Sequence, residues 1–267
     1  MRRPTPRRPA RRAGEFAIGG RRAVIEAIRS GRATRVLAIE GLPAKGGLRA
    51  VLSEAESAGV PVTWTDPPAV ERLGVRDHQG VAAVLAPPSE LDDRGLAATS
   101  FDPEALVVIL DGIMDPQNLG ACGRSAEAAG ASILIVRDRR AASVTPAAVR
   151  ASAGALMLLP IARVTNLSRT IETLQGRGFF VAGLDHGAPA SILDAAPPSR
   201  PAALVVGAED TGLSRLVRES CDLLVSIPMR GRMGSLNASA ALSVGLFGWL
   251  LRSRDAGVAQ PGSASDL

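Results

Sequence analysis

The sequence predicts an α/β protein: a parallel-sheet domain toward the C-terminus, preceded by a smaller α/β unit. Three observations predict it. Continuous apolar runs of strand length alternate with helical stretches, as expected of strands covered on both faces. Turn residues close several of them, at Gly31, Gly59, Pro87 and Pro88. A polar, acidic stretch at 88–104 separates two such alternations, dividing the chain into units at 16–87 and 105–254.

In the first unit, GGRRAVIEAIRSG places Val24, Ile25 and Ile28 on one helical face and stops at Gly31. RVLAIEGL reads as a strand, LRAVLSEAESAGV as a helix ending at Gly59, and PVTWTD as a strand. AVERLGV is a short helix, and HQGVAAVLAPP a strand closed by two prolines. The stretch 88–104 reads as a linker with room for a short helix. In the second unit, ALVVILDGI is a buried strand, NLGACGRSAEAAGA a helix whose small residues suit close packing, and SILIVRD a strand. TPAAVRASAGAL opens with Thr before Pro, a helix-start signal. LLPIARV, FFVAGLD, ALVVGAE and LLVSIP are further strands, with NLSRTIETLQGRG and DTGLSRLVRESC as helices among them. ASAALSVGLFGWLLRSR is the last helix.

Composition narrows the function classes. The net charge is +5, but residues 1–12 carry six arginines and no acid, so removing those six leaves a body of about −1. The basic excess is therefore a tail rather than a face. Residues 1–15 and 255–267 read as disordered, the first with a capacity for nucleic acid. Two cysteines, Cys122 and Cys221, are too few for a disulfide framework or a tetrahedral zinc site, and fit a reduced, cytoplasmic protein. The two histidines, His78 and His186, lie in different units, and no metal-ligand spacing is present. No apolar run reaches the roughly 18 residues of a membrane span, and no signal peptide opens the chain. Tyrosine is absent and aromatics are 3% of residues, which disfavours a platform for stacking bases.

In open α/β sheets, ligands bind beyond the carboxyl ends of the strands. Three loops at such ends combine glycine with polar side chains and lead toward helices: MDPQNLGACGR after ALVVILDGI, DTGLS after ALVVGAE, and MRGRMGSLNAS after LLVSIP. Helix N-termini and glycine backbone suit phosphates, carboxylates and cofactor edges. The chain has no GxxxxGK[ST], no G-x-G-x-x-G after a first strand and no G-x-S-x-G elbow, which disfavours P-loop, dinucleotide-binding and serine-hydrolase chemistry.

Together, DPQNLGACGRSAEAAGA (115–131), VVGAEDTGLS (205–214) and VSIPMRGRMGSLNASAALSVGLF (225–247) resemble, in order, the three motifs of the SpoU/TrmH (SPOUT) family of RNA ribose 2′-O-methyltransferases. GGRRAVIEAIRSG and HQGVAAV resemble the L30e-like substrate-binding domain carried by many members, so the resemblance covers about residues 17–252. It implies a C-terminal trefoil-knotted parallel-sheet catalytic domain, an uncommon path for a chain. It also implies S-adenosylmethionine as cofactor, held around Gly207, Ile227, Met229 and Leu236, with Ser235 and Asn237 beside it, and a homodimer formed through that domain. Arg124 matches the arginine proposed to activate the ribose 2′-hydroxyl. Because Arg is nearly always protonated, a literal general base is physically awkward; orientation by a nearby phosphate and electrostatic stabilisation of the developing alkoxide are both open to it. Asn118, Glu209, Ser235 and Asn237 complete the catalytic set. Their competing roles are structural: helix capping for Asn118, Ser235 and Asn237, and a loop carboxylate for Glu209.

Gly207, Gly212 and Gly234 are expected to permit close backbone approach, and Ser152 and Gly154 to shape the site. Arg21, Arg22, His78 and Gln79 are the RNA-binding candidates of the first unit. The two-domain form resembles enzymes acting on a guanosine of 23S rRNA. Another rRNA site (including an adenosine of the thiopeptide-resistance type), a tRNA, and a non-catalytic RNA-binding role are the alternatives.

Overall fold

The computed structural model describes residues 15–75, 77–194, 201–231 and 234–258. The arginine-rich stretch 1–12 and the tail beyond 258, both expected to be disordered, lie outside them. The chain forms two compact units divided between Pro87 and Pro88.

The small unit runs β1 (Phe16–Gly19), α1 (Arg21–Arg29), β2 (Ala33–Ile39), α2 (Gly47–Ser57), β3 (Val62–Thr65), α3 (Pro67–Arg72) and β4 (Val81–Leu85). Its sheet has the order β1-β4-β2-β3, with β4 antiparallel to both neighbours and β2 parallel to β3. All five residues of β4 are buried, which accounts for the continuous apolar VAAVL. Strand β1 is absent from the sequence reading because four residues are too short to show a period. On α1 the buried residues are Val24, Ala27 and Ile28. The expected Ile25 is only half-buried, because one helical step of about 100° carries it off the face centred on the other three. Helix α3 starts where Asp66 accepts a hydrogen bond from the Ala69 N–H and Pro67 fixes the first turn.

The large unit runs β5 (Glu90–Leu91), α4 (Asp93–Ala98), β6 (Leu106–Asp111), α5 (Pro116–Ala128), β7 (Ile133–Arg137), α6 (Pro146–Ala151), β8 (Ile161–Val164) and α7 (Leu167–Gln175). It continues with β9 (Phe180–Leu184), β10 (Ala190–Ser191), β11 (Ala202–Gly207), α8 (Arg215–Ser220), β12 (Leu223–Ser226) and α9 (Ala238–Val258). The sheet order is β10-β12-β9-β11-β6-β7-β8-β5, and its strand pairs are parallel. The expected parallel sheet is therefore present, and its strand exits gather along one edge. The central strands β6 and β11 are buried at every residue, as the runs LVVILD and AALVVG require.

Several boundaries differ from the sequence reading; α8, expected from Asp210, starts only at Arg215, because Gly212 takes a left-handed φ and holds 208–212 as a closed loop. The stretch 88–104 is folded against the large sheet: β5 pairs with β8, and Leu96 of α4 is buried. Its single buried leucine is too little apolar signal to show this in sequence. The helix expected over 145–156 stops at Ala151, because Ala153 and Gly154 take left-handed φ values of 52° and 92°, and a 3₁₀ turn follows at Ala155–Met157. Helix α9 runs to Val258, into the stretch read as tail.

Helix α5 lies between two partners. A Cβ on Gly120 would sit 2.4 Å from the Ala148 carbonyl oxygen, so the backbones of α5 and α6 meet only because that residue is glycine. On another face, Ser125 Oγ and Ser243 Oγ of α9 are 2.7 Å apart. Among the described residues no helix is long and apolar enough to cross a membrane.

Candidate active site

The exit of β11 sets the geometry. A Cβ on Gly207 would lie 2.1 Å from the Gly212 carbonyl carbon and 2.4 Å from the Leu213 nitrogen, contacts no side chain can make. Gly212 takes φ +64°, and its N–H donates to the Ala208 carbonyl over 2.8 Å, closing the loop tightly. This loop walls a cavity of about 370 Å³. Ile227 and Met229 beyond β12, and Ser235 and Leu236 before α9, line it, with Ala241 of α9. The size falls within the range of about 300–1,000 Å³ typical of small-molecule sites. Mostly apolar walls around exposed backbone suit a flat heterocycle held by main-chain groups. Gly207, Ile227, Met229, Leu236 and Ser235 are thus brought together as expected. Gly234 also lines the cavity, but a Cβ there would meet open space, so close packing does not explain its glycine.

Beside the cavity, one side chain joins the three motifs. Asn237 Nδ2 donates to Asn118 Oδ1 (3.0 Å) and to Glu209 Oε2 (3.1 Å). Its Oδ1 accepts from the Ser239 N–H (2.9 Å) and the Ser239 hydroxyl (2.7 Å), which caps α9. The capping role and the site role therefore coexist in Asn237, because an amide offers both donors and an acceptor. Asn118 is not a cap: Asp115 accepts from the Gln117 N–H and caps α5, leaving Asn118 in the first turn with its side chain free for Asn237.

Neither Glu209 nor Asn237 bonds to Arg124. Arg124 is exposed and makes no hydrogen bond or ion pair among the described residues. It lies six residues beyond Asn118, about 9 Å along the helix axis. Ser235 is exposed at the cavity and carries no cap bond.

Other side chains support the site from behind. Ser152 is buried, and its hydroxyl donates to the Val149 carbonyl and accepts from the Leu156 N–H; it builds the α6 turn rather than the cavity. Gly154 supplies that turn's left-handed residue. Burial pushes the Cys122 thiol up to about 12, and burial with Asp222 and Asp111 nearby pushes Cys221 up to about 12, so neither is a nucleophile at neutral pH.

Sequence reasoning missed three contributors. His186 and Leu184 reach the cavity from β9 and its exit, a fourth strand end that lies outside the three motifs. Asp111, 3% exposed, accepts from Arg137 Nη2 (3.0 Å) and the Ser214 N–H (2.7 Å), tying the exit of β7 to the cavity loop. An acid at the end of LVVILD was the available signal.

In the small unit, Arg21 and Gln79 meet: Arg21 Nε donates to the Gln79 carbonyl (3.2 Å) and the Arg21 N–H to Gln79 Oε1 (3.4 Å). His78 Nδ1 accepts from the Gly80 N–H (3.1 Å), leaving Nε2 as the donor. Gln79 is held at φ 49°. Arg22 is exposed at the start of α1.

Comparison with known proteins covers both units. Residues 105–247 match the SpoU rRNA Methylase family and residues 17–91 match the RNA 2′-O ribose methyltransferase substrate-binding domain. An uncharacterized tRNA/rRNA methyltransferase of Mycobacterium avium is 43% identical over 247 residues, 90% of this chain and 78% of that protein. A protein of Staphylococcus saprophyticus named as a TrmH family tRNA/rRNA methyltransferase is 38% identical over 87% of this chain and 94% of its own length. Among solved structures, the SpoU methyltransferase AviRb of Streptomyces viridochromogenes in complex with AdoMet superposes with a TM-score of 0.74 at 30% identity, covering 91% of this chain and 92% of that one. An AdoMet-bound rRNA methyltransferase of Sinorhizobium meliloti gives 0.73 at 25% identity, covering 88% and 87%.

Proposed function

Because the chain belongs to the SpoU rRNA methylase family, we propose that it transfers a methyl group from S-adenosylmethionine to a ribose 2′-hydroxyl of RNA, with a guanosine of 23S rRNA as the target. The observation that carries this reading is the Asn118–Asn237–Glu209 linkage beside the cavity, which joins all three motifs at one point. When bound, the cofactor supplies an electrophilic methyl group on a sulfonium. Gly207, Ile227, Met229 and Leu236 would hold it, and the cavity's apolar lining and main-chain wall fit such a molecule.

The chain's own residues align and stabilise. Asn237 clamps Asn118 and Glu209 into a fixed polar wall. Only Oε2 of Glu209 is hydrogen-bonded among the described residues, so Oε1 is free to accept from a ribose hydroxyl. Alignment of this kind lowers the barrier of an in-line displacement by removing orientational freedom. Arg124, a cation with no partner among the described residues, stabilises the oxyanion as the hydroxyl proton passes to Glu209 Oε1 and on to solvent. Arg21, Arg22, His78 and Gln79 give the small unit a surface for the RNA backbone. A homodimer through the knotted domain accompanies this reading; the exposed Leu193, Phe247 and Leu251 supply an apolar face for it.

Calorimetry with S-adenosylmethionine, followed by transfer of labelled methyl to unmodified 23S rRNA and to tRNA, tests the proposal. Saturable cofactor binding with label in a 2′-O-methylguanosine of 23S rRNA is the expected result. Absence of cofactor binding at millimolar concentration overturns it, and label confined to tRNA replaces the substrate.

A further inference from the structure

Away from the Asn118–Glu209 cluster, the loop after β7 presents two arginines that nothing among the described residues engages. Arg139 and Arg140 are exposed and make no hydrogen bond or ion pair among the described residues. Arg140 takes φ +57°, a left-handed conformation that a non-glycine residue adopts only when the surrounding structure holds it there. The rest of the loop is anchored. Asp111 holds Arg137 at its start, the Asp138 N–H donates to the Val164 carbonyl, and Arg163 Nη2 donates to the Ala142 carbonyl (3.0 Å). The Ala142 N–H in turn donates to the Ile113 carbonyl (2.7 Å), fastening the loop to the segment that leads into α5. A firmly tethered turn that projects two unpartnered guanidinium groups is a presentation device rather than a slack surface loop.

Its position gives it an object. Gly207 pairs laterally with Asp111, and Leu110 with Val136, so Gly207, Asp111 and Arg137 stand level on three adjacent parallel strands. At about 4.8 Å per strand, the base of the arginine turn lies about 10 Å along the same edge from the cavity wall. Asp138 is the one acid within the turn. Asp111 is already engaged by Arg137, so Arg139 and Arg140 leave the turn's exposed part positive.

We propose that Arg139 and Arg140 bind backbone phosphates of the RNA strand flanking the nucleotide delivered to the cavity. Guanidinium forks match phosphate oxygens, and such contacts set register without reading base identity. The proposal rests on the methyltransferase reading for the direction in which the strand runs, but makes a separate claim about where it is gripped.

The test uses the full chain and the double variant Arg139→Gln/Arg140→Gly. Glycine accepts the left-handed φ, so this variant should fold at least as well as the parent, which a thermal melt checks. Binding to labelled poly(U) across a salt series, methyl transfer to unmodified 23S rRNA and calorimetry with S-adenosylmethionine are read together. Loss of two single-strand phosphate contacts should reduce the log K versus log salt slope by about 1.4 and weaken RNA binding about 10-fold near physiological salt. KM for RNA should rise by a similar factor, with cofactor affinity and kcat unchanged and Arg139→Lys/Arg140→Lys largely restored. The variant Arg215→Gln, which removes one exposed charge on α8, should leave the slope unchanged. If the double variant keeps the parent's slope and KM, or if Arg215→Gln lowers the slope equally, the phosphate site is refuted and the methyltransferase reading stands. If the parent itself binds no cofactor, that reading fails, and the slope of the double variant still decides the phosphate site.

Discussion

The two units handle glycine-rich loops differently. At the exit of β11, loops from three parts of the large unit converge, and their side chains bond to one another: Asn237 to Asn118 and to Glu209. In the small unit, Arg21, His78 and Gln79 sit within one antiparallel neighbourhood and bond mainly to backbone: Arg21 to the Gln79 carbonyl, His78 to the Gly80 N–H. The first arrangement encloses a cavity and fixes side-chain positions relative to one another. The second leaves Arg22 exposed and Arg21 bonded only through backbone and a single amide. Aligning a reacting atom needs the former, and holding a polyanion needs only the latter.

The contrast is broken most severely at Gly207. Gly207→Ala forces a methyl group into the Gly212 backbone and should destabilise the large unit by about 3 kcal/mol while abolishing cofactor binding, read by thermal melt and calorimetry. Asn237→Asp separates the two functions of that residue. Aspartate still caps α9 but sets a second carboxylate against Glu209, so kcat should fall about 100-fold while stability changes by less than about 1 kcal/mol. An unchanged kcat would remove the Asn118–Asn237–Glu209 linkage from the chemistry.

Arg124→Ala touches no internal partner, so the melt and cofactor affinity should hold while methyl transfer falls about 100-fold. Full transfer activity in this variant would remove Arg124 from the chemistry. In the small unit, Arg21→Ala should raise KM for RNA only a few-fold and flatten the salt slope by about 1, with kcat untouched. A kcat defect there would erase the proposed division of labour.

The smallest effect concerns the thiols. Both remain protonated in the fold up to about pH 12 but ionise near pH 9 when exposed. Their raised folded pKa means that stability is intact below pH 9 and declines as pH rises from 9 toward 12. Thiol reagents at pH 8 should therefore label the native protein slowly and the urea-unfolded protein fast.

Much of the fold was legible because buried parallel strands need continuous apolar residues, and LVVILD, ILIVR and AALVVG supply them. The same logic failed where strands were short: β1, β5 and β10 are two to four residues long and carry no period. The candidate site was legible as three motifs in order, since glycine and amide residues clustered at strand ends mark them without reference to their partners. His186 and Asp111 escaped because a single polar residue at a strand end has no local signature.

By itself, then, the sequence determined the alternation of strands and helices, the three motif loops and their placement at strand exits. Those follow from local patterns of burial and backbone freedom. Only the tertiary structure decided which side chains meet: that Asp115 and not Asn118 caps α5, that Glu209 engages Asn237 and leaves Arg124 unpaired, and that Asp111 ties β7 to the cavity loop. Asn118 and Asn237 lie more than a hundred positions apart in the chain, and their contact depends on how α9 returns against α5. Local sequence records what each segment can bury or donate. The packing of distant segments selects which of those donors and acceptors find one another.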